Sequence, residues 1–294
     1  MELLMVLLCS LLFCPSQNLP VKLSQSLDEK DEIVMQFMVD PSKPENDSAS
    51  EVNNLGKDEM YPVDRILKIN SQLEGNEFED VSIIFGDIAV YNRLGNADWC
   101  TSSTCRWPKA RDGNVYIPYR ISSYFRPSET QVIVDAMKAI EKETCIRYRP
   151  QLKENDYISI KPLQGCWSFV GRQHGGQDLS LGTGCVYHGI VQHELLHALG
   201  FHHEQSRSDR DKFVNIYLQN VIKGTEGNFA KVNTNNLGTH YDYDSIMHYG
   251  KFYFSANGQP TILPKPNPDV PIGQRFGLSC TDIKKIVTLY KCCK

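Results

Sequence analysis

The chain has 294 residues, 41% of them hydrophobic, and a formal net charge of −4 at pH 7. This length and apolar content allow one or two domains with a sizeable core and exclude a collagen-like or wholly disordered chain. The basic residues are scattered, without a basic stripe or an aromatic stacking motif, which argues against nucleic-acid binding.

The first element is an apolar run over residues 3–13, which is too short to span a bilayer. It is typical of a secretory signal peptide, although Glu2 stands where a positive charge is usual. We assign residues 1–20 to the signal, with cleavage placed loosely near residues 16–20. Because no other stretch reaches membrane-spanning length, the sequence predicts an extracellular protein, secreted directly or after storage in secretory granules.

Residues 21–95 form an acidic leader with 7 basic against 16 acidic residues, whereas residues 96–294 carry 24 against 18. Opposite charges favour a leader that docks on a basic domain, but a solvated leader would show the same count. The stretch up to residue 80 is poor in aromatic residues and is predicted to be flexible or ordered only by its partner. The chain's one N-glycosylation sequon begins at Asn46, inside this leader.

Residues 81–90 are apolar and extended, and Asp87 interrupts them. A carboxylate among apolar residues needs a partner if it is buried.

A compact domain is predicted from residue 96 onward. Ser128 and Gln131 form a capping-box pattern that would open a helix with three apolar residues on its inner face: Ile133, Met137 and Ile140. Alternation and β-branched or aromatic residues predict strands at 115–119, 157–160 and 166–170.

The second half of this domain has a different character. Residues 205–275 are rich in turn formers and should form one irregular wall of a cleft. A final helix is predicted behind a cap at Ser279, with an apolar stripe at Ile283, Ile286, Val287 and Tyr290.

Between these halves lies the pattern His193-Glu194-x-x-His197. On a helix the two histidines share one face and can bind one metal ion beside the glutamate, which is the zinc-protease motif. Gly200 can end the helix in a left-handed conformation and bring His203 round as a third ligand, so that one coordination position stays open for water. A core helix with satisfied histidines is the competing interpretation, and the fixed offsets disfavour it.

The other histidines receive a structural interpretation. Only His202 competes for the third ligand position, and its offset is less suitable than that of His203. Four more are expected to be hydrogen-bonded or exposed: His174, His188, His240 and His248.

Eight cysteines remain outside the signal peptide, an even number without any C-x-x-C pair. This favours disulfides in an oxidising compartment over a cysteine metal site, and it does not fix their pairing.

Residues 203–211 and 245–250 extend the histidine motif, and together these stretches resemble the astacin family of metzincin proteases over residues 96–294. The pair Cys100 and Cys105 is similar to the six-cysteine branch that contains fish hatching enzymes. The resemblance implies an α+β, two-lobed catalytic domain. Its N-terminal lobe would hold a mixed twisted sheet with long helices, and its irregular C-terminal lobe would end in a helix.

The resemblance also implies the site. One zinc ion would be bound by His193, His197 and His203, and Glu194 would be general base and acid for a zinc-activated water. Two further residues complete it: Met247 as the Met-turn beneath the metal, and Tyr249 as a fifth ligand that swings away to stabilise the oxyanion.

Latency is implied in the same way. Asp87 would replace the catalytic water and silence a zymogen, although Ile84 stands where the family has phenylalanine. Residues 21–95 would be an activation propeptide, and cleavage before Asn96 would free an amino terminus that pairs with Glu204.

The implied disulfides are Cys100–Cys105, Cys145–Cys292 and Cys166–Cys185. Cys280 and Cys293 lie outside that pattern and can pair with each other. The adjacency of Cys292 and Cys293 leaves open which of them joins Cys145.

We therefore expect a monomeric, secreted zinc endopeptidase that digests extracellular proteins, with egg-envelope digestion at hatching as its role. Its partners would be extended peptide substrates, its own propeptide as inhibitor, and an activating protease. Strand 166–170 is the candidate edge for substrate, unless it is an ordinary sheet edge. The alternatives are a tissue or immune astacin, or an inactive secreted binding protein.

Overall fold

The computed structural model describes residues 62–71, 73, 80–92 and 105–292. The helices are α1 (Pro62–Asn70), α2 (Pro127–Glu143), α3 (His188–Ala198) and α4 (Cys280–Leu289). The strands are β1 (Val81–Ile84), β2 (Ile88–Tyr91), β3 (Val115–Ile121), β4 (Ile146–Pro150), β5 (Tyr157–Lys161), β6 (Cys166–Phe169), β7 (Gly176–Leu181), β8 (Val214–Ile216) and β9 (Ile262–Pro264).

Several predictions fall outside these ranges: the signal peptide, the sequon at Asn46, the new terminus at Asn96, and Cys100 and Cys293. Within the described part of the chain, none of the helices has the length and apolarity needed to cross a bilayer.

Seven strands form one mixed sheet in the order β1-β2-β6-β7-β5-β3-β4. The β1–β2 and β6–β7 pairs are antiparallel, and the other neighbours are parallel. Helices α2 and α3 share one buried apolar core with the sheet, including Ile133 and Ile140 of α2 and Ile190 and Leu195 of α3. The predicted mixed sheet with helices is therefore confirmed.

Helix α2 begins earlier than its sequence suggested. Its N-cap is Arg126, and the capping box predicted at Ser128 is wrong. Pro127 opens the helix because its fixed φ suits the first helical position. The Glu129 carboxylate then accepts a hydrogen bond from the Arg126 backbone nitrogen at 2.8 Å, which satisfies a donor at the helix start.

Two strands of this seven-stranded sheet escaped prediction. In β4 the apolar alternation is hidden by Arg147 and Arg149, and β7 begins with Gly176 and polar residues. Residues 81–90 prove to be a hairpin, β1–β2, rather than one extended segment, with Phe85 and Gly86 at positive φ in its turn. Strand β6 was expected at a sheet edge, but β2 covers it.

The C-terminal lobe is irregular, as predicted. It contains four short 3-10 segments and the two-stranded β8–β9 sheet around a second apolar cluster that includes Phe229, Tyr249 and Tyr253. Helix α4 begins at the predicted cap, where the Ser279 hydroxyl accepts from the Asp282 nitrogen at 2.9 Å.

Two implied disulfides are present, Cys145–Cys292 and Cys166–Cys185. Cys280 is disulfide-bonded, and Cys293, its proposed partner, is not among the described residues.

Candidate active site

Helix α3 carries the first part of the site. Of its eleven residues, all from Gly189 to Ala198 are buried, so packing rather than an amphipathic pattern fixes it in place. It ends at Ala198 with Leu199 as its C-cap, and Gly200 follows at φ 101°, which lets the chain reverse without a Cβ clash. The reversal brings His203 next to the two histidines of the helix.

Three imidazoles converge on one carboxylate. The Nε2 atoms of His193 and His203 lie 3.0 and 2.9 Å from oxygens of Asp87, and Nε2 of His197 lies 3.4 Å away. All four side chains are buried, and their possible ligand atoms lie within 4.8 Å of one another. The structure thus brings Asp87 of the leader together with the three histidines of the motif.

The outer nitrogens of two imidazoles are held by backbone. His193 Nδ1 lies 2.9 Å from the Ile246 carbonyl, and His197 Nδ1 lies 2.8 Å from the Phe201 carbonyl. Because a carbonyl can only accept, each Nδ1 carries the proton, and each Nε2 turns a lone pair inward. These partners orient the rings as metal-ligating histidines require.

Burial controls the charges in this cluster. Burial lowers the pKa of His193 to about 3 and that of His203 to about 4, so both rings are neutral at physiological pH. Burial alone would raise the pKa of Asp87, but the surrounding imidazoles, His203 first, hold it well below its usual value. The set therefore presents neutral imidazoles at His193 and His203 beside one carboxylate.

This donor set fits zinc. Zinc bonds of about 2.0 to 2.1 Å in a tetrahedron separate neighbouring ligand atoms by about 3.3 to 3.4 Å, near the spacings observed here. The Nε2 atoms of His193 and His197 are only 3.1 Å apart, and both lone pairs point inward. Because lone pairs at this distance repel each other, the arrangement calls for a cation between the two nitrogens. His203 Nε2 and Asp87 Oδ1 also lack a hydrogen-bond partner among the described residues, as unfilled ligand atoms would.

Glu194 lies beside these ligands and is fully buried. Neither of its carboxylate oxygens has a hydrogen-bond partner within the described ranges. Burial, followed by the charge of Asp87, raises its pKa well above the usual value, and the nearby Arg275 opposes this rise. Its two oxygens are thus unoccupied by protein donors.

Arg275 was not singled out by the sequence, where it is one arginine in a proline-rich stretch. It is buried, and Nη1 donates to the carbonyls of His248 and Gln274, each at 2.9 Å. Its Nε and Nη2 have no partner in the part of the chain that is described. It supplies a positive charge close to Asp87 and Glu194.

Tyr249 lies against the cluster, with its ring centroid 4.6 Å from that of His203 and the two ring planes tilted by 53°. Burial and the charge of Asp87 raise the pKa of its phenol well above the usual value, so the hydroxyl remains a donor. With the leader docked, the Tyr249 hydroxyl donates to the carbonyl of Phe85, the second residue before Asp87.

The floor of the site is fixed by α4. Asp282 accepts from the Ser245 hydroxyl at 2.7 Å and from the Ile246 nitrogen at 2.9 Å. Met247, buried in the main core, is the next residue, and its carbonyl accepts from the Glu204 nitrogen at 3.0 Å. The buried Asp282 had been predicted only as part of a capped, amphipathic helix.

Glu204 is buried and already paired in this form. Its Oε1 accepts from Arg207 Nη1 at 3.1 Å and from the Asp242 nitrogen at 2.9 Å, and its Oε2 accepts from Lys285 Nζ at 2.5 Å. Asn96, its proposed partner, is not among the described residues.

The remaining histidines agree with their structural interpretation. His174, His188 and His240 are exposed, and the buried His248 lies 2.8 Å from the Tyr241 hydroxyl. His203 rather than His202 belongs to the ligand cluster.

Comparison with known proteins identifies the family. The peptidase family described as Astacin matches residues 101–291. The chain is a member of the astacin family. It is a zinc metalloendopeptidase, as the resemblance implied.

Among its relatives are two astacins of the medaka Oryzias latipes. High choriolytic enzyme 1 is 51% identical over 223 residues, which is 75% of this chain and 82% of that protein. Low choriolytic enzyme is 38% identical over 269 residues, 90% of this chain and 98% of that protein. The solved structure of high choriolytic enzyme 1, described as a hatching enzyme zinc-protease, superimposes with a TM-score of 0.64 at 53% identity. It covers 67% of this chain and all of that chain.

Proposed function

We propose that this astacin is a secreted zymogen whose zinc site consists of His193, His197 and His203, with Asp87 as the inhibitory fourth ligand. The observation that carries the proposal is the placement of a leader carboxylate 2.9 to 3.4 Å from all three Nε2 atoms. The acidic leader, residues 21–95, is the propeptide, and residues 96–294 are the enzyme.

The proposed chemistry is hydrolysis of a peptide bond. Zinc bound at this cluster would supply a Lewis acid that polarises the scissile carbonyl and acidifies a water molecule. Glu194 has two carboxylate oxygens without protein donors, so it can accept the proton of the attacking water and deliver it to the leaving amine. The Tyr249 hydroxyl donates a hydrogen bond to the oxyanion.

Three leader contacts support latency. Asp87 fills the ligand cluster, and the Phe85 carbonyl occupies the Tyr249 hydroxyl. Strand β2 pairs in parallel with β6, which covers the edge where an extended substrate would add as a strand. Removal of the leader would release all three features together.

Helix α1 supplies an anchor for this arrangement. Ile66 is buried in the main core. The Asn70 amide donates to the carbonyls of Gly86 and Cys166 at 2.8 and 2.6 Å, and its oxygen accepts from the Cys166 nitrogen at 2.9 Å. Asn70 therefore hydrogen-bonds to β6 like a neighbouring strand and ties the Asp87 turn to it. After cleavage before Asn96, the new terminus would pair with Glu204, beside the contacts that Glu204 already makes with Arg207 and Lys285.

The proposed substrates are extracellular proteins, in particular egg-envelope proteins at hatching. The support is the 51% identity to high choriolytic enzyme 1 of medaka, across 82% of that protein.

The experiment is to purify the secreted precursor, activate it, and measure casein cleavage with and without a zinc chelator. Glu194→Gln should retain bound zinc but lose about 10²- to 10⁴-fold in kcat, because only the proton acceptor is removed. A variant with full activity would refute the mechanism. Egg envelope digested no faster than casein would argue against the hatching substrate while leaving the protease activity intact.

A further inference from the structure

Helix α4 presents two buried charged residues to the active site. Asp282 and Lys285 lie three residues apart, so they share one face of the helix, with exposed fractions of 1% and 8%. Lys284, between them in the same helix, is exposed. Burial of a lysine is unfavourable unless its ammonium is paired, so the position of Lys285 calls for a reason.

Its partner is the residue that follows a proposed zinc ligand. The Lys285 ammonium contacts one oxygen of Glu204 at 2.5 Å, and Glu204 is joined to His203 by a peptide bond. The other oxygen is held by Arg207 at 3.1 Å. The Glu204 nitrogen also donates to Met247. The segment carrying the third imidazole is thus fixed through one carboxylate from two sides.

Packing does not fix this segment alone. A cavity of about 350 Å³ adjoins it, lined by residues that include His203, Glu204, Lys285 and the loop 232–237. A cavity removes van der Waals contacts on one side of its lining residues. The Lys285–Glu204 ion pair therefore helps to hold the His203 segment in place, a role that close packing would otherwise fill.

Helix α4, which carries Lys285, is also connected to a second proposed zinc ligand, His193. Asp282 holds the Ile246 nitrogen at 2.9 Å, and the Ile246 carbonyl lies 2.9 Å from His193 Nδ1. One helix face thus reaches the surroundings of both His193 and His203. A rigid element that supports two ligands can set the distance between them.

We propose that Lys285 is a positioning residue for the zinc site: through its ion pair with Glu204 it holds His203 in place to bind the metal. The proposal rests on the proposed role of His203 as a ligand. Partners of this kind typically change metal affinity or activity by about 10- to 100-fold when they are removed.

The test compares two adjacent lysines in the full-length precursor. Lys285→Met should weaken Zn²⁺ binding, measured by chelator competition, by about 10- to 100-fold. The matched control Lys284→Met, on the exposed side of α4, should bind as the wild type does. After activation, Lys285→Met should lower kcat with little change in KM, because the substrate contacts are untouched. Lys285→Arg should bind Zn²⁺ more tightly than Lys285→Met and close to the wild type, since the cavity has room for a guanidinium.

Stability is separated from positioning by a double variant. Lys285→Met leaves Glu204 with one cation, which can destabilise the fold. Glu204→Gln combined with Lys285→Met removes both charges, and we expect a recovered Tm with zinc affinity still reduced. Wild-type affinity in a folded Lys285→Met variant, recovery of affinity in the double variant, or failure of both variants to fold would each overturn the proposal. Absence of histidine-dependent zinc binding in the wild type would instead refute the proposed function.

Discussion

Asn70 offers a test of the proposed latency that leaves the ligand cluster itself unchanged. Its side chain makes three hydrogen bonds, of 2.6 to 2.9 Å, to Gly86 and Cys166. At about 1 kcal/mol for each, Asn70→Ala should destabilise the docked leader by about 3 kcal/mol. Since 1.4 kcal/mol is a factor of ten, the undocked fraction of the precursor should rise by about 100-fold. Asn70→Asp should act in the same direction, because its carboxylate would face two carbonyl oxygens.

The assay is peptidase activity of the uncleaved precursor, whose intact mass is checked before and after. Ser71→Ala is the matched control, because the hydroxyl of this exposed neighbour donates to the Lys68 carbonyl of α1. Once the leader has been removed, Asn70→Ala and wild-type enzymes should have equal kcat/KM. A precursor of Asn70→Ala as silent as the wild type, with helix α1 equally protected from added protease, would refute the reasoning.

Two further variants address latency and pH dependence. Asp87→Ala should give an uncleaved precursor with more activity than Asn70→Ala, because the carboxylate itself leaves the ligand cluster, and an unchanged silent precursor would contradict its role. Burial, with nearby carboxylates adding to it, raises the pKa of Asp242 to about 6. Since this folded-state pKa lies above that of the unfolded chain, the stability that its neutral form provides is present below about pH 4 and is lost as pH rises through 6. Asp242→Asn should therefore match the wild type at pH 4 and exceed it by about 1 to 2 kcal/mol at pH 7.5, a range reduced for partial exposure. Urea unfolding at both pH values measures this, and an equal deficit at both would contradict it.

The sequence predicted the parts of the site that helix geometry fixes. His193 and His197 must share a face because they are four residues apart on a helix, and Gly200 marks the end of that helix. The Ser279 cap was predictable for the same reason, since its partner is three residues away. Such short offsets carry their geometry within the sequence.

Contacts between distant segments left no such signal. Asn70 reaches Cys166 across 96 residues, and Lys285 reaches Glu204 across 81. Periodicity separates apolar from polar positions, so it placed Ile286 on the inner face of the helix and gave no indication that Lys285 is buried. Strand β4 was missed because Arg147 and Arg149 interrupt its apolar pattern, although parallel pairing with β3 fixes it as a strand.

The order of synthesis gives the α4 contacts a further consequence. During synthesis, the segment with His193 and His197 is made well before Asp282 and Lys285. These two later residues hold the segments around the ligands. The Cys145–Cys292 bond likewise joins an early segment to a late one. Zinc capture should therefore occur after translation of this region, when the leader that brings Asp87 to the site is already in place. If the proposed latency is correct, the enzyme is inhibited from the time it is made, because residues 21–95 are synthesised before the metal site is complete.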